Sequence, residues 1–160
     1  MNVLVVYYSY EGNTELIANA ISKTYGFDCI RIVPKNEMNS KGFMKYVWGG
    51  GQVVMNIVPK INDIQVDLNK YDLIIVGSPI WAGTYAPPIR SFLEIPQCHN
   101  KKMAFFYTHL GGANLVEERA KLGFNKRNSL ISTLSLSEVS KYPEQTKAQA
   151  IDWVKNFYLK

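Results

Sequence analysis

A short polar loop near the start of the chain has the residue types of an anion-binding site. The loop is Ser9-Tyr10-Glu11-Gly12-Asn13-Thr14, and it joins an apolar run to a helix-like run. A phosphate at such a junction would receive backbone N–H groups and the positive end of the helix dipole. The hydroxyls of Ser9 and Thr14 add donors, and Gly12 lets the backbone approach closely. The alternative is an ordinary helix cap, because serine, asparagine and threonine favour helix starts without any ligand.

The loop differs from two common nucleotide sites. It contains no lysine or arginine, whereas the phosphate loop of nucleoside triphosphatases needs Gly-Lys-Ser/Thr. The glycine pattern of dinucleotide-binding folds is also missing from it. The sequence therefore excludes both of these classes for this loop.

A second segment offers an aromatic surface. The segment is Pro79-Ile80-Trp81-Ala82-Gly83, and it comes after a continuous apolar run, residues 73–76, which we expect Gly77 to stop. Trp81 provides a large face for stacking at the end of that strand, and Gly83 permits a change of peptide orientation. The alternative is a tryptophan packed on a loop without a ligand.

Strand-like and helix-like runs alternate along the whole chain and would position these segments. Strands are predicted at 3–8, 29–33, 73–76, 103–107 and 130–136, and helices at 14–23, from 87 onward, at 115–122 before Gly123, and at 143–159. Five βα units in a row imply a parallel sheet with helices on both faces, which is a three-layer α/β/α sandwich. Ligands of such sheets bind at the carboxyl ends of the strands, where both segments lie.

The strand patterns also indicate an order for the sheet. Strands one, three and four are continuously apolar, as expected of strands buried on both faces. Strands two and five alternate, with Arg31 between Ile30 and Ile32 in the former, which is typical of strands nearer an edge. The patterns fit a five-stranded parallel sheet of order 2-1-3-4-5, although other orders with strands two and five outermost fit as well.

Residues 36–70 are too many for a plain connection between two elements. We expect a helix at 42–48, a glycine turn at 49–51 and then a second, partly ordered segment. This region could wall a substrate pocket or form a dimer face.

The polar loop resembles the phosphate-binding pattern Ser/Thr-x-Thr-Gly-Asn-Thr of flavodoxins. Ser9, Gly12, Asn13 and Thr14 match it, whereas Glu11 stands where the pattern has threonine. A phosphate dianion would repel a carboxylate, so we expect Glu11 to point outward and to offer only its N–H. The segment 71–88 is similar to the flavin loop of flavodoxins and FMN-dependent quinone reductases. The resemblance covers nearly the whole chain and implies a flavodoxin-like fold.

A third segment, residues 107–114, resembles the last FMN loop of the same superfamily, in which Thr108 and the N–H groups of residues 109–112 would approach the pyrimidine end of the ring. The resemblance implies that FMN is bound non-covalently. It also implies that the Ala82–Gly83 peptide could turn a carbonyl toward N5 of the ring. The residues implied as FMN contacts are Ser9, Tyr10, Glu11, Gly12, Asn13, Thr14, Pro79, Ile80, Trp81, Ala82, Gly83, Thr108, His109, Leu110, Gly111 and Gly112.

His109 is open to several interpretations. Near the ring it could stabilise negative charge on reduced FMN, or it could donate a proton as in quinone reductases. It could also be a solvent-facing histidine or a hydrogen-bond partner within the protein. Histidine titrates near neutrality by default, so the residue type alone does not indicate catalysis. No catalytic residue is assigned, and His99, in a polar loop, is expected at the surface.

Length and composition bound the remaining possibilities. The 160 residues point to one domain, spanning 1–160, and 47% hydrophobic with 19% charged residues exclude a disordered chain. We recognise no signal peptide and no transmembrane run, and Cys29 and Cys98 lack metal-ligand spacing. We therefore expect a cytoplasmic protein with reduced thiols and without a metal, and either a monomer or a homodimer without nucleic acid or membrane partners.

Two functions remain open within the resemblance. The first is an electron carrier that exchanges electrons with redox partner proteins or a small-molecule acceptor. The second is an NAD(P)H-dependent FMN oxidoreductase acting on quinones or similar acceptors. Flavodoxins are typically acidic, whereas this chain has a net charge of +5, which favours the second modestly. A flavin-binding module without redox activity fits least well. We favour the electron carrier, and whether the chain is an enzyme stays open.

Overall fold

Parallel strands form the centre of the fold. The computed structural model describes residues 1–35, 58–111 and 113–159. Its strands are β1 (Val3–Tyr7), β2 (Asp28–Arg31), β3 (Leu73–Trp81), β4 (Thr84–Tyr85), β5 (Lys102–His109) and β6 (Ser129–Ser137). Five of them are parallel in the order β2-β1-β3-β5-β6, and the short β4 pairs antiparallel with the end of β3. The predicted order is confirmed, with β2 and β6 at the edges, while the sequence did not indicate β4.

Within the described parts of the chain, four α-helices cover the two faces of the sheet. They are α1 (Asn13–Tyr25), α2 (Pro87–Leu93), α3 (Val116–Phe124) and α4 (Pro143–Tyr158), with short 3₁₀ turns at Leu68–Lys70 and Pro96–Cys98. Alternate β1 side chains enter different cores, because successive residues of a strand face opposite sides. Val3 and Val5 pack with α1 and α4, whereas Leu4 and Val6 pack with α2 and α3. The predicted three-layer arrangement is therefore confirmed.

Strand β3 is longer than predicted, because Gly77 does not stop it. Gly77 lies beside Tyr7 of β1 and Phe106 of β5 in the parallel register. A Cβ atom at Gly77 would overlap the Phe106 ring, so this glycine permits a close approach of neighbours. Pro79 and Trp81 consequently belong to the strand and not to a loop.

Other boundaries also differ from the predictions, most clearly those of β5 and α3. Strand β5 continues to His109, where the sequence predicted a loop after Tyr107. Helix α3 continues to Phe124, so the prediction that it ends before Gly123 is wrong. Gly123 faces the hydroxyl of Tyr85, and a Cβ there would overlap that oxygen. Both glycines that were interpreted as breaks instead allow a neighbouring aromatic side chain to pack closely.

Part of the long 36–70 segment can be described. Ile61 forms an isolated antiparallel bridge with Pro34, and Asp67 accepts a hydrogen bond from the N–H of Asn69 at the start of a 3₁₀ turn. The predicted helix at 42–48 and glycine turn at 49–51 lie outside the described residues. Among the described helices, none combines the length and the hydropathy needed to cross a membrane.

Candidate functional site

A pocket of ≈ 450 Å³ opens at the carboxyl ends of β1, β3 and β5. Its volume lies within the range typical of small-molecule sites, and its position is the one that open α/β sheets use for ligands. The lining residues are Ser9, Tyr10, Glu11, Asn13, Thr14, Pro79, Ile80, Trp81, Ala82, Thr108, His109, Leu110, Gly111 and Val139.

The structure brings the three predicted segments together in this pocket. All but three of the predicted contact residues line it. Gly12 and Gly83 are the chain neighbours of lining residues, and Gly112 lies outside the described residues. Val139 is a wall residue that the sequence analysis missed. Because it follows β6, the rule that ligands meet the carboxyl ends of strands could have indicated it.

The first wall is the loop between β1 and α1. Gly12 precedes the helix with φ +92°, a left-handed conformation that favours glycine. As a glycine it has no side chain with which to cap the helix, and its own N–H donates to Oγ of Ser9 at 3.2 Å. The first N–H groups of a helix have no partner within the helix. The start of α1 therefore presents backbone donors and the positive end of its dipole at the pocket wall.

Thr14 connects this loop to the end of β5. Its hydroxyl lies 2.8 Å from the hydroxyl of Thr108, and both side chains are buried. A hydroxyl can donate one hydrogen bond and accept others, so one of the pair can donate to a ligand while it accepts from the other. The pair fixes the distance between two walls of the pocket.

A cation approaches the polar loop from a neighbouring strand. Arg31 at the end of β2 donates from Nη2 to the Ser9 carbonyl at 3.0 Å, and its Nη1 lies 3.9 Å from a Glu15 carboxylate oxygen. Tyr7 donates to the other Glu15 oxygen at 3.0 Å, and burial together with this bond raises the pKa of Tyr7 to about 12. The predicted order already places strand two beside strand one, but no motif around Arg31 indicates that its side chain reaches Ser9.

The second wall is the hairpin that joins β3 to β4. Trp81 and Thr84 are paired, and the two residues between them have positive φ, +49° for Ala82 and +73° for Gly83. Trp81 contacts two tyrosines edge-on, with centroids 5.5 Å from Tyr8 and 6.0 Å from Tyr10. The hairpin thus places a large aromatic group at the pocket wall beside the end of β3.

The third wall contains His109. Its Nε2 lies 2.8 Å from Oγ of Ser135, and Nδ1 is buried without a hydrogen bond to any part of the chain that the structure describes. Burial lowers the pKa of His109, because the charged imidazolium loses hydration. The lowered pKa favours the neutral imidazole, in which one of the two ring nitrogens carries the proton.

The arrangement suits a ligand that combines an anionic group with a flat ring. Neutral donors and a helix dipole near residues 9–14 would suit the anionic group, and Trp81 would offer a surface for the ring. Among residues 1–35, 58–111 and 113–159, no cluster of histidine, cysteine, aspartate and glutamate could hold a metal ion. Cys29 and Cys98 are free thiols.

Solved structures of the same fold come from several bacteria. A flavoprotein from Lactobacillus acidophilus in complex with FMN is 22% identical, with a TM-score of 0.68 over 89% of this chain and 97% of that chain. A candidate flavoprotein from Bacteroides uniformis is 19% identical, with a TM-score of 0.79 over 96% and 97%. The Megasphaera elsdenii flavodoxin is 20% identical, with a TM-score of 0.59 over 96% and 98%. At these identities the likeness shows the fold.

A match at the level of the family accompanies this likeness. No curated protein matches the sequence. The family model for flavodoxin matches residues 2–156, which is nearly the whole chain. Together with the confirmed strand order and the position of the pocket, this match shows that the chain belongs to the flavodoxin family.

Proposed function

We propose that this protein binds FMN in the pocket at the carboxyl ends of β1, β3 and β5 and uses it in electron transfer. The observation that carries the proposal is that the uncapped start of α1 and the Trp81 hairpin meet in one pocket of suitable size. These walls match the two ends of FMN, a phosphate and a flat ring. The FMN bound by the Lactobacillus acidophilus flavoprotein supports the same cofactor here.

The phosphate end would be held by neutral donors. The N–H groups of the first turn of α1 and the hydroxyls of Ser9 and Thr14 are available at that wall. Arg31 touches the Ser9 carbonyl and so adds positive charge beside the loop. Glu11 is exposed at the wall, which allows its carboxylate to remain in water, away from a phosphate.

The ring end would be enclosed by aromatic and backbone groups. Trp81, Thr108 and Gly111 all line this end of the pocket. These contacts orient the ring and exclude water from part of it. When bound, FMN supplies the redox chemistry, while the protein supplies binding, orientation and electrostatics. In its neutral form, His109 can hold a proton at Nδ1 or accept a hydrogen bond there, according to its tautomer.

Comparison of FMN with riboflavin tests the binding proposal, because riboflavin has the ring but lacks the phosphate. We expect equilibrium titration of the apoprotein to give one FMN per chain and at least about tenfold weaker binding of riboflavin. The Thr14→Val variant should lose part of this preference for FMN, because it removes one hydroxyl donor. Thr146→Val is the matched control, since Thr146 has a buried hydroxyl in the first turn of α4, outside the pocket wall. Equal affinity for both flavins would contradict the phosphate assignment.

The positive charge supports a second candidate, an NAD(P)H-dependent oxidoreductase. The chain has a net charge of +5, and two of its cations touch pocket segments, Arg31 at Ser9 and Arg119 at Ala82. Positive charge near the mouth of a pocket attracts an anionic substrate such as a pyridine nucleotide.

Anaerobic kinetics separate the two candidates. A carrier should oxidise NAD(P)H slowly. Because it takes up single electrons, a redox titration of its bound FMN should give two one-electron midpoint potentials that lie well apart. A reductase should oxidise NAD(P)H rapidly in the presence of a quinone and should show little separation of the two potentials. We favour the carrier, and rapid turnover with NAD(P)H and a quinone would contradict that choice.

A further inference from the structure

One side chain of α3 holds the Trp81–Thr84 hairpin. Nη1 of Arg119 lies 2.9 Å from the carbonyl oxygen of Gly83 and 3.3 Å from that of Ala82. Ala82 lines the pocket, whereas Arg119 lies outside the lining residues. The two carbonyls at the tip of the hairpin are therefore drawn toward α3.

The hairpin is strained where Arg119 holds it. A two-residue turn of this kind needs positive φ at both central residues, and Ala82 occupies the first of them at φ +49°. A left-handed alanine is unfavourable because its Cβ crowds the following carbonyl, so such a conformation persists only where the surroundings hold it. Arg119 supplies that hold through two hydrogen bonds to the same turn.

The packing of α3 on the hairpin is close. A Cβ atom built on Gly83 would lie 3.0 Å from Nη1 of Arg119, so the guanidinium rests directly against the turn. One helical turn further along α3, Gly123 packs against the Tyr85 hydroxyl on β4. Positions four apart lie on the same face of a helix, and therefore a single face of α3 supports both the tip and the second strand of the hairpin.

We propose that Arg119 is a positioning residue that holds the Trp81–Thr84 hairpin ready for the flat ring of the ligand. The inference rests on the proposed function and assigns one determinant of affinity at the same site. If the hairpin already has its bound conformation, binding of the ring carries no free-energy cost of ordering the hairpin. The ring therefore binds more tightly. Arg119 acts through Ala82 and Gly83 and does not itself line the pocket.

The test uses three variants of the full chain. Arg119→Met removes both hydrogen bonds and keeps a long apolar stem, and Arg119→Lys keeps the charge and one donor group. Arg127→Met is the matched control, because Arg127 lies beyond the carboxyl end of α3 and contacts Glu94 and His99 there. For each variant we would record the backbone amide NMR signals of residues 81–84 in the apoprotein and the Kd of both FMN and riboflavin.

We expect Arg119→Met to shift the amide signals of the hairpin and to weaken FMN and riboflavin by the same factor, roughly fivefold. Arg119→Lys should fall between this variant and the wild type, and Arg127→Met should match the wild type. An equal factor for the two flavins is expected because the hairpin meets only the ring.

Three results would overturn the proposal. They are unchanged hairpin amide signals in Arg119→Met, unchanged flavin affinities despite shifted signals, and an equal loss of affinity in Arg127→Met. A thermal unfolding scan of each variant ensures that affinities are compared on folded protein. A wild-type chain that binds neither flavin would contradict the proposed function, and the apoprotein signals would still decide whether Arg119 holds the hairpin.

Discussion

Trp81 is the side chain whose removal should affect a bound ring most. It lines the pocket at the end of β3 and contacts Tyr8 and Tyr10 edge-on. Aromatic contacts contribute about 0.5–1.5 kcal/mol beyond the area that they bury. We therefore predict that Trp81→Leu weakens FMN roughly tenfold and weakens riboflavin by a similar factor. Quenching of flavin fluorescence in a titration measures both affinities.

The control for Trp81 is Tyr142→Leu, which removes an exposed aromatic side chain outside the pocket wall. This variant should bind both flavins as the wild type does. If Trp81→Leu bound flavin as tightly as the wild type, the ring would not meet Trp81, and the tryptophan would have only a packing role.

His109 should make the stability of the fold depend on pH. Burial lowers its pKa in the folded protein from the usual 6.5, so the unfolded chain binds the proton more tightly. The stabilisation is then fully present above about pH 6.5 and is lost as the pH falls through the folded pKa. We predict that His109→Gln, which retains a polar group for Ser135 but does not titrate, loses less unfolding free energy than the wild type as the pH falls below about 6.5.

Urea unfolding of wild type and His109→Gln at several pH values measures this effect. An unchanged difference between the low and high pH values would show that His109 does not contribute to it. The same variant also tests whether the flavin needs His109, since an unchanged FMN affinity would restrict its role to the protein itself.

Among the individual residues, the sequence predicted most of those that line the pocket, because three segments follow strands whose carboxyl ends share one edge of the sheet. It did not predict Arg31, Arg119 or Val139. Arg31 and Arg119 reach the site through contacts between elements distant along the chain, and their neighbouring residues contain no motif that would indicate this.

Two glycines explain why the observed ends of β3 and α3 differ from the predicted ends. A glycine that ends a strand or a helix cannot be distinguished in sequence from one that admits a neighbouring ring. Gly77 lies under Phe106, and Gly123 lies under the Tyr85 hydroxyl. The partner of each glycine belongs to another element, so the sequence predicted the core of β3 and α3 and misplaced their ends.

Gly123 gives a prediction with an unusual sign. Replacing a glycine inside a helix by alanine normally stabilises the helix by up to about 1 kcal/mol. Here the added Cβ would overlap the hydroxyl of Tyr85, so we predict that Gly123→Ala lowers the free energy of unfolding. The effect is measured by urea unfolding at neutral pH.

A double-mutant cycle identifies the cause. In a Tyr85→Phe background the overlapping oxygen is absent, and Gly123→Ala should then cost clearly less than it does in the wild type. Equal costs in the two backgrounds would mean that the Tyr85 hydroxyl is not what requires a glycine at this position.

Charge is a property of the whole molecule that bears on its partners. The net charge of +5 should attract anionic electron acceptors and should be screened by salt. We predict that reduced, FMN-loaded protein transfers electrons to a small anionic acceptor more slowly as ionic strength rises, and to a neutral quinone at an almost constant rate. Stopped-flow kinetics at several salt concentrations measure both rates. If both electron-transfer rates changed equally with ionic strength, the positive net charge would have no role in attracting the acceptor.

The strand order and layers could be predicted from sequence because each strand shows how much of it is buried. Continuous apolar runs identified β1, β3 and β5 as central, and serines between the leucines of β6 identified an edge. The short β4 was missed because two residues, Thr84 and Tyr85, are too few to show a period. Its pairing depends on the tight turn at Ala82 and Gly83.

A titration of ¹⁵N-labelled apoprotein with FMN, followed by backbone amide signals, shows whether FMN binds in this pocket. We predict saturation at one FMN per chain, with the largest shifts at residues 9–14, 80–83 and 108–111, the three walls of the pocket. Signals at residues 100–102 and 125–129, at the opposite ends of β5 and β6, should stay in place. Saturation without shifts at those three walls, or no binding of FMN, would contradict the assignment of this pocket to FMN.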